Sequence, residues 1–169
     1  MLSVSLNTFK TFLSKMSLSQ LSNQLTCVFV YGTLKKGEPN HFLLEDSANG
    51  YSKFLFSAQT KSKYPLVIGP PYSIPYMIDL NSTGFNVRGE VYEVDDNMLE
   101  VLDGLEEHPV VYKRRKEDVI YKEGEVEKVF DNAWMYFYQQ YTPELLKLPM
   151  LESYSNEKHH APYVPLKMR

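Results

Sequence analysis

Apolar residues in the first half of the chain come in runs too short for helices. Cys27-Val28-Phe29-Val30-Tyr31 is a continuous β-branched and aromatic run and reads as a buried strand. Phe54 and Phe56 alternate with Leu55 and Ser57, which predicts a second strand after Gly50. Tyr64–Ile68 and Ile74–Ile78 are two more short runs, separated by the turn residues Gly69-Pro70-Pro71. Pro75 lies inside the later run and demotes it to an edge strand or a bulge. After a turn at Asn81–Gly84, Val87–Val94 gives the clearest strand. Its odd positions are apolar or glycine, its even positions up to Tyr92 polar or amphipathic, and Gly89 within it marks a bulge or a close backbone approach.

The period then changes. After Asp95-Asp96-Asn97, apolar residues fall at Met98, Leu99, Val101, Leu102 and Leu105, which is helical spacing. The acidic and amide residues at its start supply caps. Gly104 weakens the last turn and Pro109 forbids a long continuation, so the helix is expected to end close to Glu106. Tyr112–Tyr121 reads as a long strand, Glu123-Gly124-Glu125 as a turn and Ala133–Tyr138 as the return strand. Pro39–Leu44 suits one or two helical turns. Thr142–Leu146 suits a short helix with Thr142 as cap and Pro143 in the first position. Many short strands, one good helix and a few short ones indicate an α+β fold with a curled or closed sheet.

Length adds that one domain suffices for 169 residues. The folded unit is placed at residues 27–169, with residues 1–26 a disordered or weakly ordered extension. Residues 1–15 carry two lysines and no acid, a weak likeness to a transit peptide, but they lack arginine; a disordered tail, or an upstream start ahead of Met16, is the preferred reading. The 13 tyrosines and 9 phenylalanines favour sheet structure or an aromatic-lined pocket. A formal net charge of −3 gives no electrostatic surface for nucleic acid, and the run Lys113-Arg114-Arg115-Lys116 reads as a solvated strand face. Cys27 is the single cysteine, so no internal disulfide or thiolate zinc site can form, which suits the cytosol. No apolar run approaches the roughly 18 residues that span a membrane.

Candidate chemistry is sparse. Gly32-Thr33-Leu34-Lys35-Lys36-Gly37 opens like a phosphate loop, but Glu38-Pro39 stand where Lys and Ser or Thr should follow, and a carboxylate there repels phosphate. The residues leave two readings open. One is an ordinary strand–turn–helix corner; the other is a nest of backbone N–H groups that holds a carboxylate or an oxyanion. No nucleophile elbow is present, Cys27 opens a buried strand, and His41, His108, His159 and His160 lack metal-ligand spacing. Glu106-Glu107 also has two readings: exposed residues after a frayed helix, or a carboxylate at the negative pole of a helix beside aromatics. The second environment disfavours the ionised form and suits a general acid/base.

Three ordered segments carry a resemblance that separates these readings. Val28–Lys35 with Gly37, Pro39, Asn40 and His41, then Tyr64–Ile68 with Ile74-Pro75, then Gly89–Tyr92 with Met98-Leu99, Leu102-Asp103, Leu105-Glu106 and Pro109 resemble the γ-glutamylamine cyclotransferases of the γ-glutamylcyclotransferase and AIG2-like superfamily. Ser153-Tyr154 resembles the family's tyrosine-bearing ending, so the likeness runs from about Val28 to Tyr163. It implies a small mixed β-barrel flanked by helices. It implies that Tyr31, Gly32, Thr33 and Leu34 bind the γ-glutamyl group, largely through backbone groups, and that Glu106 is the catalytic acid/base. Gly104-Leu105 departs from the acidic and aromatic residues that many members carry before the glutamate. The implied reaction turns γ-glutamylamines such as ε-(γ-glutamyl)lysine into 5-oxoproline and a free amine. It needs no cofactor or metal, no nucleic acid or membrane, and no obligate protein partner. γ-Glutamyl amino acids or glutathione stay open as substrates, as does a non-catalytic barrel that binds a small carboxylate or a protein.

Overall fold

The computed structural model describes residues 24–158. Its strands are β1 (Thr26–Val30), β2 (Ser52–Thr60), β3 (Leu66–Gly69), β4 (Ile74–Met77), β5 (Arg88–Val94), β6 (Tyr112–Glu123) and β7 (Val126–Tyr138). Its α-helices are α1 (Phe42–Glu45) and α2 (Asp96–Leu105), with 3₁₀ turns at Ser47–Asn49 and Leu145–Lys147. No helix among the described residues is long and apolar enough to cross a membrane. The expected extension lies outside the described residues except for its last three, and His159 and His160 lie outside them too.

Five strands close into a barrel in the order β1-β5-β2-β6-β7. Every contact around it is antiparallel except β1 with β7, which run parallel at Val28 and Trp134, so the barrel is mixed. The expected small mixed β-barrel is therefore present. β3 and β4 form a separate antiparallel pair, and a parallel bridge from Ile78 to Tyr138 joins it to the end of β7. Pro75 is accommodated as expected, since β4 pairs along its length with β3 alone.

The apolar run of β1 is explained by burial on both faces. Val28 and Val30 join one core cluster with Leu44 of α1 and with Met98 and Leu102 of α2. Phe29 and Tyr31 join another with Val91, Met135 and Phe137. Side chains of a strand alternate between faces, so one strand serves both clusters. Gly89 marks a close approach: a Cβ there would lie 2.4 Å from the Val30 carbonyl oxygen and 2.5 Å from the Phe29 ring. The bulge is elsewhere, in β2, where Leu55 is the extra residue between the pairs Phe54–Tyr92 and Phe56–Val91.

α2 has the expected limits. The Asp95 side chain accepts from the Met98 N–H at 2.9 Å, and Glu106 is the C-terminal cap residue. Two expectations need correction. β7 begins at Val126, well before Ala133, because its first half is exposed and held by pairing with β6 rather than by an apolar face. Thr142–Leu146 makes no α-helix: the Thr142 carbonyl accepts from Leu145 N–H at 3.1 Å, and only a 3₁₀ turn follows.

Two glycine replacements should move stability in opposite directions. Gly89→Ala should lower it by about 1–3 kcal/mol, as overpacking does. Gly104→Ala, in a helix with open space around the new Cβ, should raise it by about 0.5–1 kcal/mol. Urea denaturation of both variants measures this; equal effects would show that neither site is limited by local geometry.

Candidate active site

The end of β1 runs into Tyr31, and the next residues turn sharply. Lys35 N–H donates to the Gly32 carbonyl at 3.2 Å, and Asn40 N–H to the Thr33 carbonyl at 2.8 Å. The Asn40 side chain also donates to Thr33 Oγ1 at 2.9 Å, and His41 Nδ1 lies 2.9 Å from the Leu34 carbonyl oxygen. The loop is thus closed by its own carbonyls. Among the described residues, the N–H groups of Gly32, Thr33 and Leu34 donate to no backbone carbonyl. Gly32 is needed for a close approach: a Cβ would sit 2.6 Å from Pro75 Cγ. Gly37 allows the left-handed turn that follows, with φ of 82°.

The other side comes from α2. Its last turn carries Glu106 with φ −85° and ψ 0°, and the Glu106 N–H returns to the Leu102 carbonyl at 3.0 Å. The Glu106 carbonyl accepts from Tyr112 N–H at 3.2 Å, which ties the helix end to β6. Glu107 turns outward with φ of 49° and is exposed.

These two segments line one cavity of about 300 Å³. Tyr31, Gly32, Thr33 and Leu34 line it together with Glu106 and Glu107. Pro75, Tyr76, Tyr112, Tyr136 and Tyr138 complete much of the wall. The rings of Tyr76 and Tyr138 stack at 4.0 Å, and Tyr112 meets Tyr138 edge-on at 5.4 Å. The aromatic richness of the sequence thus lines a pocket as well as filling the sheet.

Burial pushes the phenols of Tyr31 and Tyr112 well above their ordinary value; the negative charge of Glu106 adds to both, and for Tyr112 the neighbouring Tyr31 adds more. Tyr136 is raised by burial and by its bond to Asp103, with a smaller push from Glu106. All three phenols are neutral donors at neutral pH. Tyr31 donates to the Tyr136 carbonyl at 2.8 Å, Tyr112 to the Pro75 carbonyl at 3.2 Å and Tyr136 to Asp103 Oδ1 at 2.6 Å.

The basic run of β6 is solvated only in part: Lys113 and Lys116 are exposed, as expected, but the two arginines between them are engaged. Arg114 grips Asp103 with two bonds, Nε to Oδ1 at 2.7 Å and Nη2 to Oδ2 at 3.0 Å, and lies 4.5 Å from the centre of the Trp134 ring. Arg115 bonds Asp79 at 2.8 Å and covers Phe137. Lys35 is also engaged, donating to the Tyr154 carbonyl at 2.6 Å and to Ser153 Oγ at 3.1 Å. Sequence reasoning missed Asp103, Arg114 and Tyr136. The available signal was the three-residue spacing of Asp103 and Glu106 on a helix.

The family model for "Gamma-glutamyl cyclotransferase, AIG2-like" matches residues 28–156, which span the loop, α2 and the barrel. The chain belongs to this family. It is 41% identical over 145 residues to Troponin C-akin-1 protein of Drosophila melanogaster, covering 86% of this chain and 84% of the relative. It is 41% identical over 151 residues to Gamma-glutamylaminecyclotransferase of Bos taurus, covering 88% and 87%. The crystal structure of an AIG2-like protein from Mus musculus superposes with a TM-score of 0.78 at 37% identity, over 86% of this chain and 99% of that one. The family assignment agrees with the γ-glutamylcyclotransferase-like barrel expected from the sequence.

Burial pushes the Asp103 carboxyl up, but the bonds from Arg114 and Tyr136 outweigh it and hold the group below the usual range. A depressed carboxyl stabilises the fold above its unfolded value and loses that contribution as pH falls through the folded one. The stability gap between wild type and Asp103→Asn should therefore be widest at neutral pH and close as pH falls below about 4. Denaturation curves across that range test it. A gap that persists to about pH 2 would assign it to packing instead of charge.

Proposed function

We propose that this chain is a γ-glutamylamine cyclotransferase that converts ε-(γ-L-glutamyl)-L-lysine and related γ-glutamylamines to 5-oxoproline and the free amine, with Glu106 as acid/base. The observation that carries the reading is the meeting of Glu106 and the Tyr31–Leu34 loop across one cavity of about 300 Å³. The family and its named relatives support the reaction class.

The chemistry is intramolecular. The substrate's α-amine attacks its own γ-carbonyl and closes a five-membered lactam, so the enzyme must fold the substrate and hold it. Such orientation can contribute roughly 7–11 kcal/mol. The α-ammonium first gives a proton to the Glu106 carboxylate, which frees the lone pair for attack. The C–N bond to the departing amine then breaks as that nitrogen receives a proton from the Glu106 carboxyl. Two protons pass in all from the α-nitrogen to the leaving nitrogen, which ends as an ammonium, while the lactam nitrogen keeps one. The N–H groups of Gly32, Thr33 and Leu34 are the candidates to hold the substrate carboxylate or the developing oxyanion. The residues 27–169 are read as the working unit and the cytosol as its place of action.

The wall composition favours amines over γ-glutamyl amino acids. Beyond the loop it is mostly aromatic, proline and aliphatic side chains, with Asn40 as a further polar group and Glu106 and Glu107 as the carboxylates. An alkyl amine chain fits such a surface. An α-carboxylate next to the scissile bond would be stripped of water beside a like charge. Release of 5-oxoproline from ε-(γ-glutamyl)lysine, γ-glutamylalanine and glutathione, assayed side by side, tests this. Release only from the first supports the amine reading, and release from none supports a binding module.

Glu106→Gln keeps size and removes proton exchange, so kcat should fall by at least the ~10²–10⁴-fold typical of general acid/base catalysis, with KM much less changed. Glu107→Gln should cost less than about fivefold, because its side chain is exposed at the rim. Steady-state kinetics of the two variants decide the assignment; comparable losses would mean that another group carries the proton.

Gly32→Val should weaken 5-oxoproline binding more than about tenfold, because the new Cβ meets Pro75 and displaces the loop. Lys36→Ala should leave binding within about twofold, since the Lys36 side chain is exposed and its main-chain N–H, which the change keeps, is what bonds Glu90. Calorimetric titration with 5-oxoproline measures both. A tolerant Gly32 with an essential Lys36 would show that charge, and not backbone shape, makes the site.

A further inference from the structure

Asp103 lies three residues before Glu106, so both carboxylates project from one side of the last turn of α2. Two donors from the barrel are directed at Asp103. Arg114 of β6 binds both of its oxygens, and the Tyr136 hydroxyl of β7 binds Oδ1 at 2.6 Å. Tyr136 is committed at a second point as well, because its carbonyl accepts the Tyr31 hydroxyl at 2.8 Å. One chain of contacts thus runs from Arg114 through Asp103 and Tyr136 to Tyr31, from the helix end to the start of the substrate loop.

We propose that Asp103, clamped by Arg114, is a positioning residue for the cyclisation, which keeps the Tyr136 proton and the Arg114 charge away from Glu106. The proposal rests on the reading of Glu106 as acid/base. Three phenols line the cavity with that glutamate and feel its charge: Tyr31 just after β1, Tyr112 from β6 and Tyr136 from β7. Arg114 stands one step further out on β6, and Asp103, Glu107 and His108 share Glu106's own segment. A carboxylate that accepted a proton from Tyr136, or served as counter-ion to Arg114, would be a poor base toward an ammonium. Asp103 occupies both donors and leaves Glu106 the basicity that proton abstraction needs. The backbone bonds of Glu106 to Leu102 and Tyr112 already fix its main chain, so the added function of Asp103 lies in the electrostatics around the side chain.

The test is the pH profile of kcat/KM with ε-(γ-glutamyl)lysine, with thermal melts of every variant. In Asp103→Asn the positive guanidinium loses its neutralising partner and the Tyr136 hydroxyl is released, so the acid limb should move to lower pH. In Arg114→Ala the Asp103 charge is uncompensated, so the limb should move to higher pH. An unbalanced charge of either sign near the helix end, in a partly wet site, should give shifts of roughly half a pH unit to one unit. In both variants kcat at pH 7 should fall at least about tenfold with KM within about threefold. Arg114→Lys, which keeps the charge but not the two-pronged grip, should fall between wild type and Arg114→Ala. Lys61→Ala, which breaks an exposed ion pair of the same kind with Asp118, should leave the profile in place. Limbs that stay still or shift in the same direction, or losses that only track the melting temperature, would overturn the proposal. If Asp103→Asn does not fold, Tyr136→Phe replaces it, with a kcat loss at unchanged KM expected and wild-type kinetics counting against. Glu106→Gln in the same series separates the two claims. If it is inactive while Asp103 and Arg114 prove neutral, only the positioning role fails; if it is active, the acid/base reading fails first.

Discussion

The arrangement depends on the parallel contact of β1 with β7. It closes the barrel between Val28 and Trp134, and it is the one junction in the ring that joins the beginning of the described fold to its late strand. Without it Tyr31 could not reach the Tyr136 carbonyl, and the loop that follows would not face the end of α2. Parallel strands cannot be joined by a tight turn, so this pair needs a long connection, here the whole chain from β2 to β6. The cavity is therefore a product of closure, and no single segment contains it.

Much of this was legible because the signals were local. The limits of α2 follow from Asp95 as cap, from Gly104 and from Pro109, all within one stretch of sequence. The β-branched run of β1, the alternation of β5 and the proline of β4 likewise act where they stand. The first half of β7 was not legible, since its polar and apolar residues are exposed and only β6 holds them in a strand. Arg114 was misread for the same reason: a basic run looks solvated until a helix end arrives with Asp103. The residues of the loop and Glu106, taken alone, each admitted a bland reading, and only the resemblance joined them. Their shared cavity could not be read from spacing, because barrel closure creates it.

Lys35 shows how a surface-looking charge can become structural. Its ammonium is half-buried against the Tyr154 carbonyl and Ser153, and the nearby Glu38 carboxylate accepts from Asn156 N–H at 2.9 Å. Burial lowers the Lys35 ammonium from its ordinary value, with Glu38 and Glu90 opposing that shift. The segment after the barrel is thereby laced to the far side of the loop, while Asn40 and His41 brace the near side. A loop held from both sides enters the site with its backbone already shaped, so less conformational entropy is lost when a ligand orders it.

Pro75 approaches Gly32 and walls the cavity, yet it also lies on a strand of a two-stranded sheet. The edge of a two-stranded sheet carries backbone donors and acceptors with which an added strand could pair. Proline has no N–H to offer an incoming strand. At this position, therefore, the backbone of β4 has no donor to give a further strand, and its carbonyl is already taken by the Tyr112 hydroxyl.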